Sequence, residues 1–377
     1  MATSGLNMSR RIRRTPYTDR VESVGVRGFS VVNHTLFPKA FAPSAEEDYW
    51  HLSEHVQIWD VGCQRQVEIR GRDAARLAQW LTPRDLRSAK PGQCLYVPLI
   101  DEQGGMLNDP ILLVLGADHF WFSIADSDVL LWAKGFALGA GLDVEVIEPD
   151  VWPLAIQGPK AEQLMASVFG ERIRRLGFFE FDYFDFEGGS QLIARSGYSK
   201  QDGFEIYLND SKLGSRLWDV IWEAGTPLQI TPGCPNLIDR VEAGLLSYGN
   251  EMTRSNNPLE CGLRKYCCLD GSVDYIGRPA LERIDREGVE RMIRGVLFDA
   301  GRCPPCGTPW PVTTAEGDTA VGQITTAAWS PRFQRNVGLS LIERCAWDVG
   351  TPIRVHSADG LVREGELVAL PFDSAAR

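Results

Sequence analysis

Apolar positions along the chain follow two alternating rhythms. A period of two, expected of half-buried strands, runs through Gln66-Val67-Glu68-Ile69-Arg70. Further strands are predicted at Ile111 to Leu115, Phe120 to Ile124 and Val144 to Ile147. Phe178 to Phe186 alternates aromatics with acids, and Leu192 to Arg195 and Phe204 to Leu208 follow as strands. Between them the period lengthens to that of a helix. Asp73 is placed to cap a helix carrying Leu77, Trp80 and Leu81, and Lys160 to Phe169 stops at Gly170. Leu213, Leu217, Trp218, Ile221 and Trp222 mark one face of a helix ending near Gly225. Leu237, Ile238, Val241 and Leu245 mark another.

Past about residue 290 the helical rhythm disappears. Arg294 to Asp299, Gly322 to Thr326, Val337 to Leu341, Ile353 to Ser357 and Leu361 to Val368 read as short strands, which predicts a separate all-β module. Within it, the proline- and glycine-rich Arg302 to Pro311 reads as a long turn, and Thr326 to Pro331 as an exposed aromatic turn.

Length and composition narrow the class. At 377 residues two or three domains are expected, and no stretch reaches the roughly 18 consecutive apolar residues of a membrane span. A net charge of -11 argues against a nucleic-acid-binding surface, while leaving room for a local basic patch. The nine cysteines are odd in number and irregularly spaced, which points to a reducing cytoplasm rather than a disulfide framework. Cys303-Pro-Pro-Cys306 has no second pair to complete a zinc site and reads as a rigid turn. His51 and His55 are spaced to share a helix face, and no metal site is expected from them or the three other histidines. The basic stretch Ser9 to Arg14 has no apolar core behind it, so it reads as an ordered arm rather than an export signal. Phosphate-loop, zinc-protease, nucleophile-elbow and dinucleotide fingerprints are all missing.

Four segments remain as carriers of chemistry. In Asp101-Glu102-Gln103-Gly104-Gly105-Met106-Leu107-Asn108-Asp109-Pro110, a glycine turn precedes an extended carboxylate, Asp109, which is either a partly desolvated functional acid or a turn residue holding backbone N–H groups. In Ser196 to Tyr207 a polar loop separates two strands, and Glu205 and Tyr207 share a strand face. A carboxylate there can accept two parallel N–H bonds from an amidine-like ring edge; the alternative is a solvent-facing hairpin strand. In Asp239 to Glu251, Arg240 lies on a helix and can hold a carboxylate, functionally or as a surface salt bridge. The fourth is the aromatic segment Thr326 to Pro331.

Together these segments resemble the aminomethyltransferase family, the T-protein of the glycine cleavage system and its relatives. The family's GG-x-x-x-D matches Gly104 to Asp109, its GY-[TS]-x-x-x-GFE matches Gly197 to Glu205, and its R-x-EAG-x-x-x-YGN matches Arg240 to Asn250. Tyr275 to Leu281 is similar to FIG-x-x-AL, and Thr325 to Pro331 to T-S-x-x-x-SP. Within the family, Ser9 to Pro16, Val56 to Val61, Ser123 to Gly135 and Ala194 to Gln201 look most like the dimethylsulfoniopropionate demethylases of marine bacteria. The chain departs from that branch at Val32 and Thr35, at Leu95, and at Arg264 and Tyr266.

The resemblance implies an α+β fold of three domains around a central hole: two interleaved α/β domains over residues 1–290 that bind folate, then a C-terminal β-barrel over 291–377. It implies tetrahydrofolate as methyl acceptor, with no metal, and a small-molecule methyl donor as the partner. Nucleic acid and membrane are not expected as partners, and a homodimer is left open. Glu205 would hold the pterin's amino-pyrimidine edge, Tyr198 and Arg240 would line the folate site, and Asp109 would sit near the reactive nitrogens. Tyr96 and Tyr207 would face the substrate. Alternatives are a related enzyme acting on another N-, O- or S-methyl donor, an aminomethyltransferase proper, or a non-catalytic folate-binding protein.

Overall fold

The structure, a computed structural model, describes residues 8–299, 301–317 and 319–372. The chain divides into two compact units. The first runs through Ala78 and takes in Ser88–Tyr96 and Pro110–Asn236; the second comprises Gln79–Arg87, Val97–Asp109 and the chain from Leu237 onward.

Two sheets build the first unit. One has six strands in the order Phe181–Phe186, Gly189–Ala194, Gly203–Leu208, Trp152–Gln157, Val56–Asp60 and Ile230–Gly233. Only its last pair is parallel. The other has five antiparallel strands in the order Glu145–Ile147, Gln66–Arg70, His119–Ser123, Ile111–Gly116 and Cys94–Tyr96. The expected helices form as Ala74–Leu81, Ala161–Phe169, closed by Gly170 in the left-handed region, and Gly214–Gly225. Asp73 stands immediately before the first of these, and its carboxylate accepts the Asp143 N–H at 2.9 Å.

Alternation along Gly203–Leu208 explains the layering. Phe204, Ile206 and Leu208 pack with Leu164, Met165, Leu217, Trp218 and Ile221 of the covering helices. Tyr207 points the other way, into a cluster with Cys94 and Leu113 of the five-stranded sheet and Phe181, Leu192 and Ala194 of its own. Both faces of this strand are therefore buried, which removes the solvent-facing hairpin alternative.

The second unit contains a closed six-stranded barrel: Arg291–Phe298, Arg335–Glu343, Ala320–Ser330, Trp310–Thr314, Pro352–His356 and Val362–Val368, the last pairing back to the first. One turn expectation is overturned here and another is shortened by two residues. Thr326 to Ser330 is the end of an eleven-residue strand, with Trp329 half-buried. Trp310–Thr314 starts inside the segment expected to be a turn. Its Pro311 is tolerated because pairing to Pro352–His356 begins only at Val312, so the proline has a neighbour on one side. Cys303 and Cys306 are free thiols packed against the barrel core.

Two expectations resolve as ordinary structure. The basic arm is held by ion pairs, Arg13 with Glu148, and Arg14 with Asp19 and Glu22. His51 and His55 do share a face, rings 4.9 Å apart. His51 is engaged by Gln229 and Thr231, and His55 by the Lys160 ammonium at 2.8 Å. No helix among the described residues is long and apolar enough to cross a membrane.

Candidate active site

The loop between strands Gly189–Ala194 and Gly203–Leu208 is shaped by one buried amide. Gln157 donates to the Ser196 carbonyl at 3.1 Å and accepts from Ser199 Oγ at 2.7 Å. A Cβ on Gly197 would lie 2.1 Å from Gln157 Oε1, and one on Gly203 2.2 Å from Nε2. Both motif glycines are therefore places where the backbone closes on this side chain. The loop holds Tyr198 half-buried and delivers Ser196 beside Glu205.

Glu205 is 6% exposed. Its Oε2 accepts from Ser196 Oγ at 2.5 Å and from Tyr207 OH at 3.5 Å. Oε1 accepts no hydrogen bond from the described residues, and no ion pair forms at this carboxylate among them. Burial pushes the carboxyl above its usual range, with the Ser196 and Tyr207 hydrogen bonds pulling the other way. One buried carboxylate with one oxygen engaged and the other uncommitted fits a ligand edge that presents two parallel N–H donors.

Tyr207 was expected to face the substrate, yet only 1% of it is exposed. Its hydroxyl is turned to Glu205, and the ring lies in the intersheet cluster beside Trp121. Burial raises the pKa of this phenol well above its ordinary value. Tyr96, at the end of Cys94–Tyr96, is half-buried. Val32 and Thr35, two of the departures, sit opposite each other across the hairpin Gly28–Val32/Thr35–Lys39. The hairpin turns on Asn33 and His34, both with positive φ. Asn33 ties the tip down through Cys63 O and Ala125 O.

In the second unit the glycine turn is held by Asp101. Asp101 Oδ1 accepts the Gly105 and Gln103 N–H groups at 2.8 and 3.0 Å, and a Cβ on Gly105 would meet Arg254 O at 2.5 Å. Asp109 comes at the end of the same segment. It stands half-buried just after strand Met106–Asn108, whose Met106 is fastened by Tyr248 OH and by the Asn256 carbonyl.

Arg240 holds a carboxylate belonging to the chain itself. It is 6% exposed and pairs with Glu251 at 3.1 Å, while also donating to Leu245 O and Thr326 Oγ1. Glu251 further accepts from Ser247 N and Thr326 Oγ1. Glu242 takes the hydroxyl of Ser330 at 2.6 Å. The helix motif at Arg240 and the aromatic segment at Thr326 are thus two halves of one buried clamp, fixing helix Leu237–Glu242 to the barrel strand Ala320–Ser330. Ser196, Glu251, Thr326 and Ser330 lie within the segments read from sequence but carry no individual role there; a hydroxyl or a carboxylate gives no pattern until its partner is known.

The family model described as the GCVT N-terminal domain matches residues 17–271, and that of the glycine cleavage T-protein C-terminal barrel domain matches 291–373. A dimethylsulfoniopropionate demethylase of Ruegeria pomeroyi is 49% identical, covering 95% of this chain and 98% of that protein. An aminomethyltransferase of Alkaliphilus oremlandii is 31% identical, covering 92% and 93%. The crystal structure of aminomethyltransferase T from Bartonella henselae superposes with a TM-score of 0.84 at 22% identity, over 96% of this chain and 98% of that one, a likeness of fold.

Proposed function

This chain belongs to the glycine cleavage T-protein, or aminomethyltransferase, family, and we propose that it is a tetrahydrofolate-dependent demethylase of dimethylsulfoniopropionate. The products are 5-methyltetrahydrofolate and 3-(methylthio)propanoate. The observation that carries the donor is the near-full-length likeness to a dimethylsulfoniopropionate demethylase, well above the likeness to the aminomethyltransferases. The uncommitted buried carboxylate of Glu205 supports the folate.

Tetrahydrofolate, when bound, supplies the N5 lone pair as the methyl acceptor. The sulfonium is already activated: as its S–CH3 bond breaks, the bonding pair stays on sulfur and leaves a neutral thioether. No acid is needed, so what the chain contributes is alignment and desolvation. Glu205 takes the amino-pyrimidine edge, with Ser196 and Tyr207 fixing the carboxylate, and Tyr198 lines the same ligand. Asp109 orients the acceptor nitrogen and takes or relays the proton that it sheds after transfer. Tyr96 remains the aromatic assigned to the sulfonium. Given its burial, Tyr207 acts on the folate side through Glu205 rather than by contact with the methyl donor. Arg240 serves the folate side by holding the Ser247–Glu251 segment.

Purified protein with tetrahydrofolate and dimethylsulfoniopropionate is expected to accumulate 5-methyltetrahydrofolate. Bound folate without that product would reject the donor while keeping the family, and a panel of N-, O- and S-methyl compounds would then find the true one. Val32, Thr35 and Leu95 make another donor the reading to test second. Asp109→Asn is expected to lower kcat on the order of a hundredfold, with tetrahydrofolate Kd changed less than about threefold. A comparable loss in Kd would make Asp109 a binding residue only.

A further inference from the structure

The hydrogen bonds at Glu205 do not end at Tyr207. Ser123 hydrogen-bonds the Tyr207 phenol, and Gln66 Nε2 lies 3.2 Å from Ser123 Oγ. All four side chains are at least nine-tenths buried: Gln66 at 0% exposure, Ser123 at 7%, Tyr207 at 1% and Glu205 at 6%. The chain has a direction. The Gln66 amide can only donate to Ser123 through Nε2, so the Ser123 proton is free to point at Tyr207 and the Tyr207 proton at Glu205. Ser196 donates to the same oxygen.

The arrangement also crosses the core. Gln66 and Ser123 are register partners on adjacent strands of the five-stranded sheet, whereas Tyr207 and Glu205 lie two apart on one strand of the six-stranded sheet. Aligned donors reinforce one another in a low-dielectric interior, and each favours the ionised carboxylate against its burial. The buried Cys94 thiol also faces Glu205; its pKa is raised chiefly by burial and then by Glu205 itself, so it stays neutral. Gln66 Oε1 is buried without a hydrogen-bond partner. That is a local cost the fold carries at the far end of the relay.

We infer that Ser123 and Gln66 are positioning residues for the ligand-binding carboxylate: from the neighbouring sheet they orient the Tyr207 hydroxyl so that Glu205 is presented ionised and in one rotamer. This rests on the assignment of Glu205 to the folate edge.

The test is tetrahydrofolate affinity against pH, by calorimetric titration, for the native protein, Ser123→Ala, Ser123→Thr, Gln66→Leu and Glu205→Gln. The Glu205→Gln profile carries the ligand's own titration and serves as the baseline. Native affinity is expected to fall relative to that baseline as pH decreases. Ser123→Ala should move the midpoint upward by roughly half a unit or more while changing affinity on the alkaline plateau less than about threefold. Ser123→Thr, which keeps the hydroxyl, should restore the native midpoint. Gln66→Leu should shift it in the same direction by less. An unmoved midpoint in Ser123→Ala, or an equal loss at every pH, would overturn the inference. A folded Gln66→Leu with the native midpoint would do the same if Ser123→Ala failed to fold. If the native and Glu205→Gln profiles coincide, it is the folate role of Glu205 that fails.

Discussion

Arg240→Ala is expected to destabilise the protein by about 3–5 kcal/mol, the usual consequence of leaving one partner of a buried ion pair uncompensated. The Glu251 side chain is fully buried in the pair, and that of Arg240 is 7% exposed. Removing the guanidinium strips two donors from Glu251, leaving only Ser247 N and Thr326 Oγ1 on an ionised group without water. It also removes a donor from the Leu245 carbonyl. In thermal unfolding a fall of roughly ten degrees should follow for a unit of this size. Replacing both partners, Arg240→Met with Glu251→Leu, should recover much of that, because no buried charge is then left alone. Thr326→Val should cost less, since the ion pair survives it. A variant Arg240→Ala with native unfolding but tetrahydrofolate affinity lowered tenfold or more would show the opposite: a residue whose main business is the ligand.

That substitution also marks where sequence reasoning stops. Periodicity located the strands and helices because each buries one face: Leu217, Trp218 and Ile221 on one helix, Phe204, Ile206 and Leu208 on one strand. It failed at Thr326–Ser330 and Trp310–Thr314 because a closed barrel has no free edge and accepts proline and polar residues where pairing on one side lapses or a buried partner waits. The site was legible to a matching degree. Gly197 and Gly203 stood out as a motif, but the cause is Gln157, forty residues earlier in the chain. Arg240 stood out as a cation in need of an anion, and Glu251 supplies one eleven residues on. The sequence offered Asp109 as a turn residue, while the Gly105 and Gln103 N–H groups point at Asp101, which no pattern marked. Each missing piece is a contact across sequence distance, which local pattern does not encode.

Glu205→Gln is expected to weaken tetrahydrofolate binding by about 2–3 kcal/mol, roughly 30- to 150-fold, the scale of a lost charge-assisted hydrogen bond in a buried site. The amide keeps one acceptor oxygen, so the volume and half of the recognition survive, but its NH2 cannot accept the second N–H of the ligand edge. The pH dependence separates this from simple damage, because binding and folding respond with opposite sign. Burial raises the Glu205 pKa, so the native group takes up a proton at a higher pH than it does unfolded. For stability, its contribution is full below the unfolded value and is lost as pH rises through the folded one. The ligand-free Gln variant should therefore be at least as stable as the native protein on the alkaline side of that transition. For binding, the ionised form is the competent one, so native affinity falls as pH decreases through the same value while the Gln variant stays low and lacks that transition. Weaker binding together with undiminished unfolding temperature at alkaline pH is the expected pair of results. If the substitution instead lowers both, with no difference in pH profile, Glu205 is a structural carboxylate, and the amino-pyrimidine edge must be held elsewhere.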